Sequence, residues 1–156
     1  MEIERKFLVN QLPENLEKYP KLTISQSYLA KSPSVRIRKA NLQFYFCLKI
    51  PVSDRESQEI EFEINEKQYL ELSEKVTSKT VSKIRYKLPL PPDISKPSVT
   101  LTAELDIYQG SHSGLVTVEV EFPDKTACDS FIPPQWFGEE ISHLYSYKNV
   151  SLAYNE

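Results

Sequence analysis

Met1-Glu2-Ile3-Glu4-Arg5-Lys6, in a chain of 156 residues, places charge at every second position. In a strand, residues two apart share a face. Glu2, Glu4 and Lys6 then form a row of two carboxylates and one ammonium, with Ile3, Arg5 and Phe7 turned the other way. Paired carboxylates can hold a hard divalent cation, and a neighbouring lysine can meet a phosphate oxygen. One such row is a weak signal, and its meaning depends on what the other strands set against it.

The same rhythm recurs along the chain. Arg36 and Arg38 alternate with Val35 and Ile37, and LQFYFCLKI at 42–50 is the strongest strand signal. Glu59, Glu61 and Glu63 alternate with Ile60, Phe62 and Ile64 between Glu56 and Ile64. Lys83, Arg85 and Lys87 alternate with Ile84, Tyr86 and Leu88. Glu104 and Asp106 fall in a strand expected from Val99 to Tyr108, and Glu119 and Glu121 in one from Leu115 to Phe122. Asn65 is placed to cap a helix from Glu66 to Val76, and shorter helices are expected from Asp124 to Phe131 and from about Ser146. Pro89 to Pro97 reads as a loop. About eight strands joined mostly by short turns predict a mainly β (α+β) fold. The expected form is an eight-stranded antiparallel closed barrel with flanking helices, one domain spanning 1–156.

The charges segregate by strand, whereas a solvated sheet face usually mixes signs. Like charges on one face repel, so these rows point to bound charge between them. The apolar faces, from Val35 and Ile37 through Ile50, Ile60 and Phe62 to Val120, must be buried elsewhere. The sequence therefore predicts a charged lumen and an apolar exterior, covered partly by helices and partly by a second copy in a homodimer. Lys6, Arg36, Arg38, Lys49, Lys83 and Arg85 suit a compact ligand with four or five negative charges, such as a triphosphate. The carboxylates would repel it unless Mg²⁺ or Mn²⁺ lay between, since the ligands on offer are oxygens.

The composition excludes several classes. A net charge of -3 argues against a nucleic-acid polymer as partner, and no apolar run approaches a membrane span. Cys47 and Cys128 form no CxxC pair and read as free thiols in a reducing compartment. With a charged N-terminus and no signal peptide, a cytoplasmic protein is expected. His112 and His143 are isolated and read as ordinary surface or loop residues.

Taken in order, these segments resemble the CYTH superfamily, the triphosphate tunnel metalloenzymes. Glu2-Ile3-Glu4-Arg5-Lys6 resembles its ExExK signature, Arg36-Ile37-Arg38 its RxR, and Lys83-Ile84-Arg85-Tyr86 its KxRY segment. Gln26-Ser27-Tyr28-Leu29, Lys49, the acidic strand at 59–64, Glu119-Val120-Glu121-Phe122 and Tyr147-Lys148-Asn149 also fit. Two departures stand out: Ser57 replaces an arginine often found in phase with the acidic strand, with Arg55 two residues earlier, and the loop after Lys49 lacks a glycine. The resemblance implies metal ligation by Glu2, Glu4, Glu119 and Glu121, helped by Glu59, Glu61 and Asp106. It implies phosphate binding by Lys6, Arg36, Arg38, Lys49, Lys83 and Arg85. Lys6, Arg38 and Lys83 would be the catalytic cations, with Glu61 a candidate to orient water. The activity it implies is hydrolysis of a triphosphate, most simply inorganic tripolyphosphate. A class IV-type adenylate cyclase acting on ATP, a thiamine triphosphatase and a non-catalytic polyphosphate or nucleotide binder are the alternatives. A carrier of apolar ligands is disfavoured by the cost of drying such a lumen.

Overall fold

The computed structural model describes residues 1–92 and 100–155. Its strands are β1 (Glu2–Val9), β2 (Lys21–Ala30), β3 (Ser34–Ala40), β4 (Gln43–Pro51), β5 (Glu56–Ile64), β6 (Val81–Pro89), β7 (Thr102–Tyr108), β8 (Val116–Glu121) and β9 (Phe137–Glu140). The α-helices are α1 (Glu66–Ser73), α2 (Lys125–Ser130) and α3 (Asn149–Tyr154). The strands pair in the order β5-β4-β3-β2-β6-β7-β8-β1, and β5 returns to β1, closing the expected eight-stranded antiparallel barrel. The closing seam is thin, with only Glu2 opposite Ser57 and Ile3 opposite Glu56. Beyond it β9 pairs with β1, setting Phe7 opposite Glu140 and Val9 opposite Phe137.

β9 is absent from the sequence reading because its four residues carry no alternation. Its cue is Gly138. A Cβ there would lie 3.0 Å from Asn10 Oδ1 and 3.1 Å from the Leu8 carbonyl oxygen, so the crossing with β1 needs a glycine. Other boundaries shift modestly. Asn65 does cap α1: its side chain accepts from the Gln68 amide at 2.8 Å while the Gln68 side chain accepts from the Asn65 amide at 2.9 Å. The helix ends at Ser73 rather than Val76, and α3 starts at Asn149 after a 3-10 turn at Tyr145–Tyr147. Val99 and the loop residues 93–97 lie outside the described residues, as does Glu156.

With charge turned inward, the hydrophobic core lies outside the barrel wall. Phe7, Leu105, Val118 and Val120, on the outer faces of β1, β7 and β8, are buried against Cys128 of α2 and Phe137 of β9. A second cluster sets Leu152 and Ala153 of α3 against Tyr28, Val81 and Tyr108 at one end of the barrel. The opposite wall is barely covered. Tyr69 of α1 packs its ring 4.8 Å from that of Phe44 in a tilted contact, but Ile50, Ile60 and Phe62, expected to be buried, are 43%, 60% and 50% exposed. An eight-residue helix is about 12 Å long, whereas these nine-residue strands run about 30 Å. Among the described residues no helix is long and apolar enough to cross a membrane.

A charged barrel lumen as the candidate active site

The barrel encloses a cavity of about 680 Å³, and every expected site residue except Asp106 lines it. Register explains the convergence. Glu4 sits opposite Glu121 and Lys6 opposite Glu119 across β1 and β8, while Arg36, Cys47 and Glu61 form one row across β3, β4 and β5.

Glu2, Glu4 and Glu121 bring carboxylate oxygens within 4.8 Å of one another. Lys49 Nζ stands among them, 2.6 Å from Glu2 Oε1, 3.1 Å from Glu4 Oε1 and 3.9 Å from Glu59 Oε2. Ser57 Oγ donates to Glu2 Oε1 at 3.2 Å, so the serine that departs from the resembled pattern supports this group. Burial, with the Glu119 charge nearby, pushes Glu4 up to about 8. Burial and the charges of Glu2 and Glu104 push Glu121 up to about 7. Burial also opposes ionisation of Glu2, but contact with Lys49 outweighs it and holds that carboxyl below its ordinary value. One ammonium thus serves several carboxylates, and the group is short of positive charge. An all-oxygen set of this kind fits a hard divalent cation.

Glu119 adjoins that group at Glu4 but has cations of its own. It pairs with Lys6 at 3.6 Å, and although burial opposes its charge, Lys6, Arg85 and Lys83 hold it well below the usual carboxylate range. Glu59 reaches both Glu2 and Lys49. Cys47, Glu59 and Glu61 also approach one another. Burial pushes the Cys47 thiol up to about 11, and Glu61 is engaged by two arginines, so this second group offers little to a cation.

The basic rows are neutralised across strands. Arg36 and Arg38 both donate to Glu61 Oε2, at 2.8 and 2.9 Å, and each leaves a buried Nε without a partner. Arg85 grips Asp106 with two bonds of 2.8 and 2.9 Å, and Lys83 Nζ lies 2.9 Å from Asp106 Oδ2. Asp106 was expected among the metal helpers, yet it is fully buried with both oxygens occupied by these cations and does not line the cavity. Segregation by strand in the sequence therefore becomes alternation in space: β3 faces β5's charge, β6 faces β7's, and β4's lysine faces β1's. The rows do not by themselves require a bound counter-charge.

Several residues in or beside the lumen have no assigned role in the sequence. The Tyr147 carbonyl accepts from Lys6 Nζ at 2.7 Å. Asn149 Oδ1 accepts from Lys83 Nζ at 3.3 Å and from Tyr108 Oη at 2.7 Å. Lys148 Nζ donates to the Asp54 carbonyl at 3.1 Å. Tyr147-Lys148-Asn149 was visible as a segment, and its cue was three polar-tipped residues ahead of an apolar helix. His143, read as an ordinary loop residue, is exposed and also lines the cavity. Arg55 engages Glu140 through its Nε and Nη2 at 3.1 and 2.8 Å, as Arg5 does at 3.2 and 2.7 Å.

A closed antiparallel barrel whose lumen sets converging cations against a carboxylate cluster is a triphosphate-tunnel architecture. The chain is 36% identical to the inorganic triphosphatase of Nitrosomonas europaea, over 97% of this chain and 96% of that protein. It is 31% identical to the inorganic triphosphatase of Acetivibrio thermocellus, over 99% of this chain and 94% of that one. A solved structure of an inorganic triphosphatase, 33% identical, matches with a TM-score of 0.67 over 98% of this chain and 94% of its own. No protein-family model matches the chain. The chain belongs to the CYTH superfamily of triphosphate tunnel metalloenzymes.

Proposed function

We propose that the protein is a divalent-metal-dependent triphosphatase that hydrolyses inorganic tripolyphosphate to diphosphate and phosphate inside the barrel. The observation that carries this reading is the convergence, on one cavity, of six cations from β1, β3, β4 and β6 with the carboxylates of Glu2, Glu4 and Glu121. Lys6, Arg36, Arg38, Lys49, Lys83 and Arg85 hold the phosphates, and the unpartnered Nε atoms of Arg36 and Arg38 are donors held ready for phosphate oxygens. Glu2, Glu4 and Glu121 hold Mg²⁺ or Mn²⁺, flanked by Glu119 and Glu59. Asp106 orients Arg85 and Lys83 rather than ligating. The metal, when bound, supplies Lewis-acid polarisation of phosphate oxygens. Lys6, Arg38 and Lys83 stabilise charge developing on the transferred group, and α3 closes one end of the lumen against bulk water. Glu61 serves first as the anchor of Arg36 and Arg38, and once they turn to phosphate it is free to orient water. The buried free thiols of Cys47 and Cys128 support a cytoplasmic setting, and the uncovered β4–β5 face supports a homodimer.

The test is a substrate panel of tripolyphosphate, ATP, GTP and thiamine triphosphate with Mg²⁺ or Mn²⁺, with products separated by ion chromatography. Tripolyphosphate should give the highest kcat/KM, with diphosphate and phosphate as products. Cyclic AMP from ATP would instead assign a class IV-type cyclase, and preference for thiamine triphosphate a thiamine triphosphatase. Binding without turnover would leave a polyphosphate or nucleotide binder.

A further inference from the structure

We propose that Lys49 has two seats: in the ligand-free lumen its ammonium fills the place of the divalent cation among Glu2, Glu4 and Glu59, and it moves to the phosphates when metal enters. Metal and phosphate ligand then favour each other's binding. The inference rests on the reading of Glu2, Glu4 and Glu121 as the metal ligands.

The geometry separates Lys49 from the other lumen cations. Its Nζ contacts Glu2 and Glu4, two carboxylates of the proposed metal group itself, as well as the flanking Glu59. Lys6 instead pairs with Glu119 and the Tyr147 carbonyl, Arg36 and Arg38 with Glu61, and Lys83 and Arg85 with Asp106. A divalent ion must sit within about 2.0–2.6 Å of its carboxylate oxygens. An ammonium 2.6 Å from Glu2 Oε1 and 3.1 Å from Glu4 Oε1 stands in that space, and the two cations exclude each other.

Lys49 is also able to leave. Its side chain is 29% exposed, against 8% for Lys6 and 1% for Lys83. On β4 it lies two residues from Cys47, on the same face, and Cys47 is paired with Arg36, so a swing of its flexible stem carries the charge from the carboxylates towards the phosphate-binding arginines. Metal entering alone must displace this internal competitor, which lowers its apparent affinity by the fraction of time the seat is free. A phosphate ligand that draws Lys49 away removes the competition, and linkage makes the effect reciprocal.

The experiment measures MnCl₂ binding to the full chain without phosphate, by the electron paramagnetic resonance of free Mn²⁺, with folding checked by circular dichroism. Lys49→Met should bind Mn²⁺ about tenfold more tightly than wild type. Lys87→Met, which removes a lumen lysine lying opposite Glu104, should change affinity less than about twofold. Added inorganic phosphate should tighten Mn²⁺ binding in wild type and not in Lys49→Met. Equal or weaker Mn²⁺ binding by Lys49→Met would overturn the proposal, and so would an equal gain in Lys87→Met, which would mark a diffuse field effect. If Lys49→Met does not fold, Lys49→Gln is judged by the same criterion. Wild type that binds no Mn²⁺, or binds it unaffected by Glu4→Gln, would overturn the metal-site reading itself.

Discussion

Replacing Glu140 with glutamine tests what holds the barrel shut. Glu140 receives Arg5 from β1 and Arg55 from just before β5, two bonds from each, and the Ser142 hydroxyl at 2.7 Å. It thus ties from outside a seam with two residue pairs, reinforced by the Glu4 amide donating to the Arg55 carbonyl at 2.8 Å. Burial opposes ionisation of Glu140, but the bonds from Arg5 and Arg55 outweigh it and hold the carboxyl at about 2. A depressed carboxyl contributes stability above its unfolded value, near 4.5, and loses it as pH falls towards 2. The full shift corresponds to about 3 kcal/mol. With 22% of the side chain exposed, solvent screening leaves about 2 kcal/mol. Glu140→Gln also strands the buried Arg5 with only the Cys128 and Phe131 carbonyls, adding about 1 kcal/mol. Urea unfolding should therefore place Glu140→Gln about 3 kcal/mol below wild type at pH 7, with the gap shrinking by about a third between pH 5 and pH 3. A gap below about 1 kcal/mol at pH 7, or one that stays flat down to pH 3, would refute the clasp.

Lys6→Ala and Arg38→Ala should each lower tripolyphosphate turnover about a hundredfold or more, Arg38→Ala with little loss of thermal stability. Burial and the charges of Arg36 and Arg85 already oppose the Arg38 cation, and unchanged turnover in either variant would remove that residue from the site. Asp106→Asn should cost about 3–5 kcal/mol in urea unfolding, because it leaves Lys83 and Arg85 buried without their shared partner. A stable Asp106→Asn protein with weakened Mn²⁺ binding would restore Asp106 to the metal ligands. If the exposed β4–β5 face joins two copies, Phe62→Glu should shift the protein from dimer to monomer on size-exclusion chromatography, and a wild type that already elutes as a monomer would dismiss that interface.

Alternation made the barrel legible in the sequence. Glu2, Glu4 and Lys6, or Lys83 and Arg85, could face together only in strands, and rows this charged could not form the apolar core. What escaped depended on tertiary contact. β9 has no period to read, and Gly138 becomes informative only once Leu8 and Asn10 are seen against it. Arg5 looked like an outward-facing residue on the first strand, because its partner Glu140 lies 135 residues away. Asp106 and Glu121 look alike in sequence, each an acid alternating with apolar neighbours. They part only through register: Asp106 falls opposite Arg85 and is consumed by it, while Glu121 falls opposite Glu4 and has no cation of its own at that pair.

That same register gives the lumen two unlike walls. A cavity that selects a polyanion must keep its cations charged before the ligand arrives, and buried charges need partners while they wait. On β6 and β7 the partner is Asp106, which is fully buried and bonded to both Arg85 and Lys83. Freeing either cation would leave that carboxylate with no access to water, so these residues can receive a phosphate only with the hydrogen-bonding capacity that Asp106 leaves unused. On β3 and β5 the partner is Glu61, whose side chain is 30% exposed and whose Oε2 is shared by Arg36 and Arg38. Water can replace the arginines there at far lower cost. The β6–β7 wall is therefore the fixed reference of the site, and the β3–β5 wall is the one whose ion pairs can yield to the ligand's charge.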